Sequence, residues 1–183
     1  MTKKPIILHS EILAETQLFC IERRHLQFSN GAKREFECIN GRAHASVMIV
    51  PMLDEETFLL IREYACGMHE YILGFPKGAV SSNENLLETA NRELQEEVGY
   101  GSRDLQVIAK MSASPGYMDS IMHLVLAKAL YPKRMLGDEP EEIEVIPWKL
   151  SEVDALLAHP EFYEARSQAA LLMIERKWRE RNQ

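Results

Sequence analysis

Between Gly78 and Tyr100, four glutamates and one arginine fall into a fixed spacing. It runs Gly78, five residues, Glu84, seven residues, then Arg92-Glu93-Leu94-Gln95-Glu96-Glu97-Val98-Gly99-Tyr100. Carboxylates this close repel one another unless positive charge sits among them. Arg92 is one such charge. A hard divalent cation, which prefers oxygen ligands, is the natural second. A cation held this way can neutralise phosphate charge and ease the deprotonation of water.

The segment reads as loop then helix, from about Asn85 to Val98. Asn83 suits the N-cap, Glu84 the positive end of the helix dipole, and Gly99 a left-handed stop. At about 100° per residue, with Glu93 at zero, Glu97 lies near +40° and Glu96 near −60°. Leu86 and Ala90 lie near +20° and +60°, and Leu87, Leu94 and Val98 near +100° to +140°. A carboxylate face therefore borders an apolar face. Arg92 is placed to pair with Glu84 or Glu88. The plain alternative is a solvated amphipathic helix, which would not need so many fixed identities.

These residues resemble, position for position, the signature of the Nudix hydrolases, which cleave nucleoside diphosphates linked to another moiety. The resemblance implies an α/β fold, an α/β/α sandwich around a mixed sheet, with Mg²⁺ or Mn²⁺ as cofactor. It implies that Glu93, Glu96 and Glu97 ligate metal together with the Lys77 backbone carbonyl. Arg92 would orient the cluster with Glu84 as its partner, and Gly78 and Gly99 would support the site. One departure is Asn83, where many members carry glycine; asparagine tolerates left-handed angles.

Further segments narrow the branch. Ser114-Pro115-Gly116-Tyr117 reads plainly as a β-turn. Pro115 also stands where the ADP-ribose pyrophosphatase branch of the family has a proline, and so becomes a candidate substrate-binding residue. Leu60-Ile61-Arg62-Glu63-Tyr64-Ala65, Leu130-Tyr131-Pro132 and Gly137-Asp138-Glu139-Pro140-Glu141 are similar to the bacterial ADP-compounds hydrolases of that branch. This resemblance implies ADP-ribose, NADH and diadenosine polyphosphates as substrates, with AMP as product. Two features pull toward diadenosine polyphosphate or diphosphoinositol hydrolases: Gly74, where many ADP-ribose enzymes have glutamate, and the run Phe75-Pro76-Lys77-Gly78. A carboxylate must accept the water proton, and Glu97, Glu139 and Glu141 are the candidates. Arg62 is a candidate phosphate contact, or else a surface residue at a strand end. The Lys77 side chain reads equally as a phosphate contact or a surface lysine beside a turn.

The rest of the chain must position these groups. At 183 residues, 46% hydrophobic and 27% charged, it has ordinary globular composition and suits one domain. Residues 1–42 are expected to form an antiparallel strand layer and 43–183 the catalytic core. No apolar run approaches a membrane span, and the N-terminus is not a signal peptide. A net charge of −7 argues against long nucleic acid as a partner and leaves a small nucleotide. Cys20, Cys38 and Cys66 do not pair by spacing, which implies reduced thiols and a cytoplasmic protein. With Asn30-Gly31 as a two-residue turn, Cys20 would face Gly41 and Cys38 would face Arg23.

Strands are expected at Leu18 to Ser29, Lys33 to Ile39, Ala45 to Leu53, Thr57 to Arg62, Leu105 to Met111, His123 to Ala129 and Glu144 to Trp148. Ser151 should cap a short helix. A long helix should follow Pro160, from Glu161 to Arg181, with Phe162, Ala165, Ala169, Leu172 and Ile174 as its apolar face. The branch resemblance implies that the N-terminal layer makes a homodimer.

Overall fold

The computed structural model describes residues 3–41 and 45–181. Contacts divide the chain into two compact units. One holds residues 1–45 with 112–121, and the other holds 46–111 with 122–183.

In the first unit, β1 (Ile6–Glu15), β2 (Phe19–Gln27) and β3 (Lys33–Gly41) form an antiparallel sheet. Strand β1 was not foreseen, because its residues show no clean alternation. The β2–β3 turn is one residue longer than expected. Phe28 N–H donates to Ala32 O, Gly31 N–H donates to Phe28 O, and Gly31 adopts φ +80°. This is a three-residue loop closed by a left-handed glycine. The register therefore shifts by one, setting Cys20 opposite Asn40 and Cys38 opposite Glu22. All three cysteines are free. Arg24 binds Glu22, which also accepts from Asn40. These hydrogen bonds hold Glu22 down to a pKa of about 2.

The second unit is built on two sheets. Strands β10 (Glu144–Lys149), β5 (Thr57–Ala65) and β6 (Glu70–Gly74) pair antiparallel in that order. Strands β7 (Lys77–Ala79), β4 (Ala45–Pro51), β9 (Ile121–Pro132) and β8 (Tyr100–Met111) form the other. Strand β4 is apolar along its length because both faces are covered. Val47 and Ile49 join Leu59, Ile61, Ala90, Leu94 and Val98 on one side. Met48 and Val50 join Phe58, Leu60, Phe75, Phe162, Leu171 and Ile174 on the other. Helix α1 (Leu86–Glu93) thus packs on one side, and α2 (Val153–Leu157) and α3 (Ala165–Arg181) on the other. This is the expected α/β sandwich.

Helix details differ from the expectation. The N-cap of α1 is Asn85, not Asn83. Its side chain accepts from Leu87 and Glu88 N–H, while Glu88 reaches back to Asn85 N–H. That reciprocal pair forms a capping box. The short helix before Pro160 begins as a 3₁₀ turn at Leu150–Glu152 with no side-chain cap, so Ser151 does not serve. Helix α3 starts at Ala165, with Glu164 accepting from Ser167 N–H at its start. Its buried face is Ser167, Ala170, Leu171 and Ile174, whereas Leu172 is exposed. The buried positions follow the i, i+3, i+4, i+7 pattern of a one-sided helix.

Candidate active site

Helix α1 does not continue as an ideal α-helix through Val98. Leu94–Val98 is a π-helical turn, in which Gly99 N–H donates to Leu94 O at 3.1 Å. Gly99 closes it with φ +83°. Such wide turns insert one extra residue and re-aim the side chains they carry. Here they carry Glu96 and Glu97.

Arg92 is the hub of the acidic face. Its Nε and Nη2 donate to Glu84 at 2.9 and 3.1 Å. Its Nη1 lies 2.8 Å from Glu93 Oε1 and donates to Glu96 Oε2 at 2.7 Å. The two-pronged Arg92–Glu84 contact fixes direction as well as charge. It lowers the pKa of Glu84 and raises that of Arg92. Thr89 Oγ1 adds a further hydrogen bond to Glu84.

Two carboxylates of this acidic face are buried. Glu97 is only 4% exposed, and its Oε2 accepts from Lys77 N–H at 3.0 Å. Burial pushes Glu97 up to about 8, with Lys77 opposing and Glu93 and Glu139 adding repulsion. Glu93 is 9% exposed and is raised to about 6 by burial, with Arg92 opposing. Both groups are thus costly to keep ionised where they are buried. Gly78 leaves room for Glu93: a Cβ there would stand 2.0 Å from its carboxylate.

The Lys77 side chain is not at the surface. It is paired with Glu63 of β5 and largely buried. Burial lowers its pKa, opposed by Glu97, Glu164 and Glu139. No motif announced this pair, because β5 and β7 are brought together only by the fold.

Arg62, Glu139 and Glu141 share one cleft of about 310 Å³ with Glu63, Tyr64 and Tyr71. The Tyr71 hydroxyl donates to Glu141 Oε1 at 2.5 Å, a contact the sequence did not suggest. The Arg62 guanidinium binds Glu161 and Glu144. Pro115 lies in the first unit, in a turn where Tyr117 and Met118 N–H donate to Ser114 O. A second cleft, between Met52, Leu150 and Trp178, contains none of the candidate residues.

Among the described residues, no three acidic, imidazole or thiol groups converge as a ready-made ligand set. Arg92 holds Glu93 and Glu96, and the Lys77 amide holds Glu97. The donors are nevertheless hard carboxylate oxygens, and two of them are raised by burial. That chemistry fits Mg²⁺ or Mn²⁺.

The chain matches the NUDIX domain model over residues 42–172 and the NudE-type Nudix hydrolase N-terminal domain over 5–37. It is 44% identical to ADP compounds hydrolase NudE of Escherichia coli, over 96% of this chain and 94% of that protein. It is 29% identical to ADP-ribose pyrophosphatase of Bacillus subtilis, over 93% and 95% of the two chains. A crystal structure of an ADP compounds hydrolase superposes with a TM-score of 0.89 at 43% identity, covering 100% of this chain and 97% of the other. The signature glutamates on their capped helix, the two-sided core and these relatives agree: the chain belongs to the Nudix hydrolase family.

Proposed function

We propose that this protein hydrolyses the pyrophosphate bond of ADP-linked compounds, ADP-ribose, NADH and diadenosine polyphosphates among them, and releases AMP. The observation that carries this reading is the pair of buried carboxylates, Glu93 against Gly78 and Glu97 on the Lys77 amide. The names of the two relatives, an ADP compounds hydrolase and an ADP-ribose pyrophosphatase, support the substrate class.

Glu93, Glu96, Glu97 and the Lys77 carbonyl would hold Mg²⁺ or Mn²⁺. The cation, when bound, supplies neutralisation of phosphate charge and eases deprotonation of water. Arg92 and Glu84 keep the ligand side chains aimed. A carboxylate accepts the water proton while the water oxygen bonds to phosphorus and the bridging P–O bond breaks. Glu139, whose charge reaches Glu97 and Lys77, is the favoured acceptor; Glu97 and Glu141 are the others. Arg62, already held by two glutamates, shapes the cleft wall. Incubation with Mg²⁺ and a panel of ADP-ribose, NADH and diadenosine tri- and tetraphosphate tests the reading. AMP should appear from ADP-ribose or NADH. Product from the diadenosine compounds alone would favour a polyphosphate-chain hydrolase instead.

The raised carboxylates also set a pH dependence. Glu93 and Glu97 bind protons more tightly folded than unfolded, so their stabilising contribution is full below the ordinary value of 4.5. It is lost as pH rises through about 6 and about 8. Melting curves in EDTA should therefore fall from pH 5 to pH 8 more steeply than curves in Mg²⁺.

The same reading makes the protein a cytoplasmic homodimer that acts as one functional domain. Strand β1 exposes Ile6, Ile7, Leu8 and Ile12, an apolar edge that a monomer would leave in water. Light scattering should give twice the chain mass, and Ile12→Lys should shift it toward one.

A further inference from the structure

Lys77 places a cation inside a site built for a cation. Its side chain and that of Glu63 are each only 20% exposed. Its backbone N–H donates to Glu97 at 3.0 Å. The side chain pairs with Glu63 of β5, and its charge is felt by Glu97 of the π-turn, Glu139 of the loop before β10, and Glu164 with Arg166 at the start of α3. Arg166 binds Glu164 at 2.5 Å, so that pair is largely self-compensated. Buried ion pairs add little stability compared with apolar residues of equal volume. The Glu63–Lys77 pair therefore calls for another role.

We infer that Lys77 is an internal counter-ion: its ammonium group compensates the acidic cluster before a divalent cation arrives, and so weakens that cation's binding. Glu63 sets how strongly it does so, by drawing off part of the Lys77 charge. The enzyme thereby holds free metal loosely and binds it tightly only when a phosphate ligand brings further negative charge. This inference rests on the reading of Glu93, Glu96 and Glu97 as metal ligands. It makes Lys77 a positioning and charge-setting residue.

The test is Mn²⁺ binding to the substrate-free protein, measured by electron paramagnetic resonance. Lys77→Met should tighten the dissociation constant by about tenfold, the scale of one partly screened charge. Glu63→Gln should loosen it severalfold. The double variant should return close to wild type, because both opposed charges are gone. A merely structural role would loosen binding in all three variants. Unchanged or weaker binding in Lys77→Met overturns the inference, and should that variant not fold, failure of Glu63→Gln to loosen binding overturns it alone. Glu97→Gln separates the two levels. If it leaves Mn²⁺ binding intact, the ligand assignment itself is wrong. If it abolishes binding while Lys77→Met changes nothing, only the counter-ion role falls.

Discussion

Replacing Glu97 with glutamine should lower turnover by at least about a hundredfold and leave the fold intact, the scale expected for loss of a metal or base group. The physical reason lies in burial. Glu97 is 4% exposed and repelled by Glu93 and Glu139, which is why its pKa rises to about 8. The neutral amide keeps the size of the side chain and still accepts from Lys77 N–H. It removes a charge that is unfavourable in the metal-free protein. The variant should therefore melt at or above the wild-type temperature in EDTA at pH 8, and lose the stabilisation by Mg²⁺. A stabilising change that abolishes activity is the expected sign of a strained functional group. Thermal melts and Mg²⁺-dependent AMP release check both halves, and near-wild-type turnover would contradict the assignment.

Gly78→Ala should also be damaging, by a different route. An added Cβ would fall 2.0 Å from the Glu93 carboxyl carbon and 2.6 Å from its Oε2. The obstructing atoms are the far end of a flexible side chain, so the backbone has no need to move. Glu93 swings away instead. Stability should change by about 1 kcal/mol or less, while Mn²⁺ affinity and turnover should each fall by about tenfold or more, the scale of a displaced ligand. Equal Mn²⁺ binding in wild type and variant would show that Glu93 is not a ligand.

Much of this architecture was legible because it is local. The β-branched run of β4, the turn at Asn30-Gly31 and the glycine stop at Gly99 are all written in adjacent residues. So was the Arg92–Glu84 pairing, which the signature spacing implied. The Asn85 cap was equally available, since Asn85 with Glu88 three residues on is a capping box, but Asn83 drew the assignment two residues early. The π-turn was not legible. Leu94 and Val98 are both buried across it, and an ideal 100° step cannot report its extra residue. The one-residue register shift between β2 and β3 came from Gly31 adopting a left-handed conformation that lengthens the turn. The buried Glu63–Lys77 pair was the largest miss. Each residue alone resembles a surface charge, and only the tertiary fold, with β5 and β7 in separate sheets, sets them together.

The segment 112–121 carries a practical consequence. By its contacts it belongs with residues 1–45, and Ile39 N–H donates to Tyr117 O while Ile39 also bridges Met118. Yet its own ends continue directly into β8 and β9. Removal of residues 1–45 would therefore strip this excursion of its packing while leaving it tethered at both sides. Anyone seeking a minimal fragment would need to trim the excursion as well, and splice β8 to β9 with a tight hairpin.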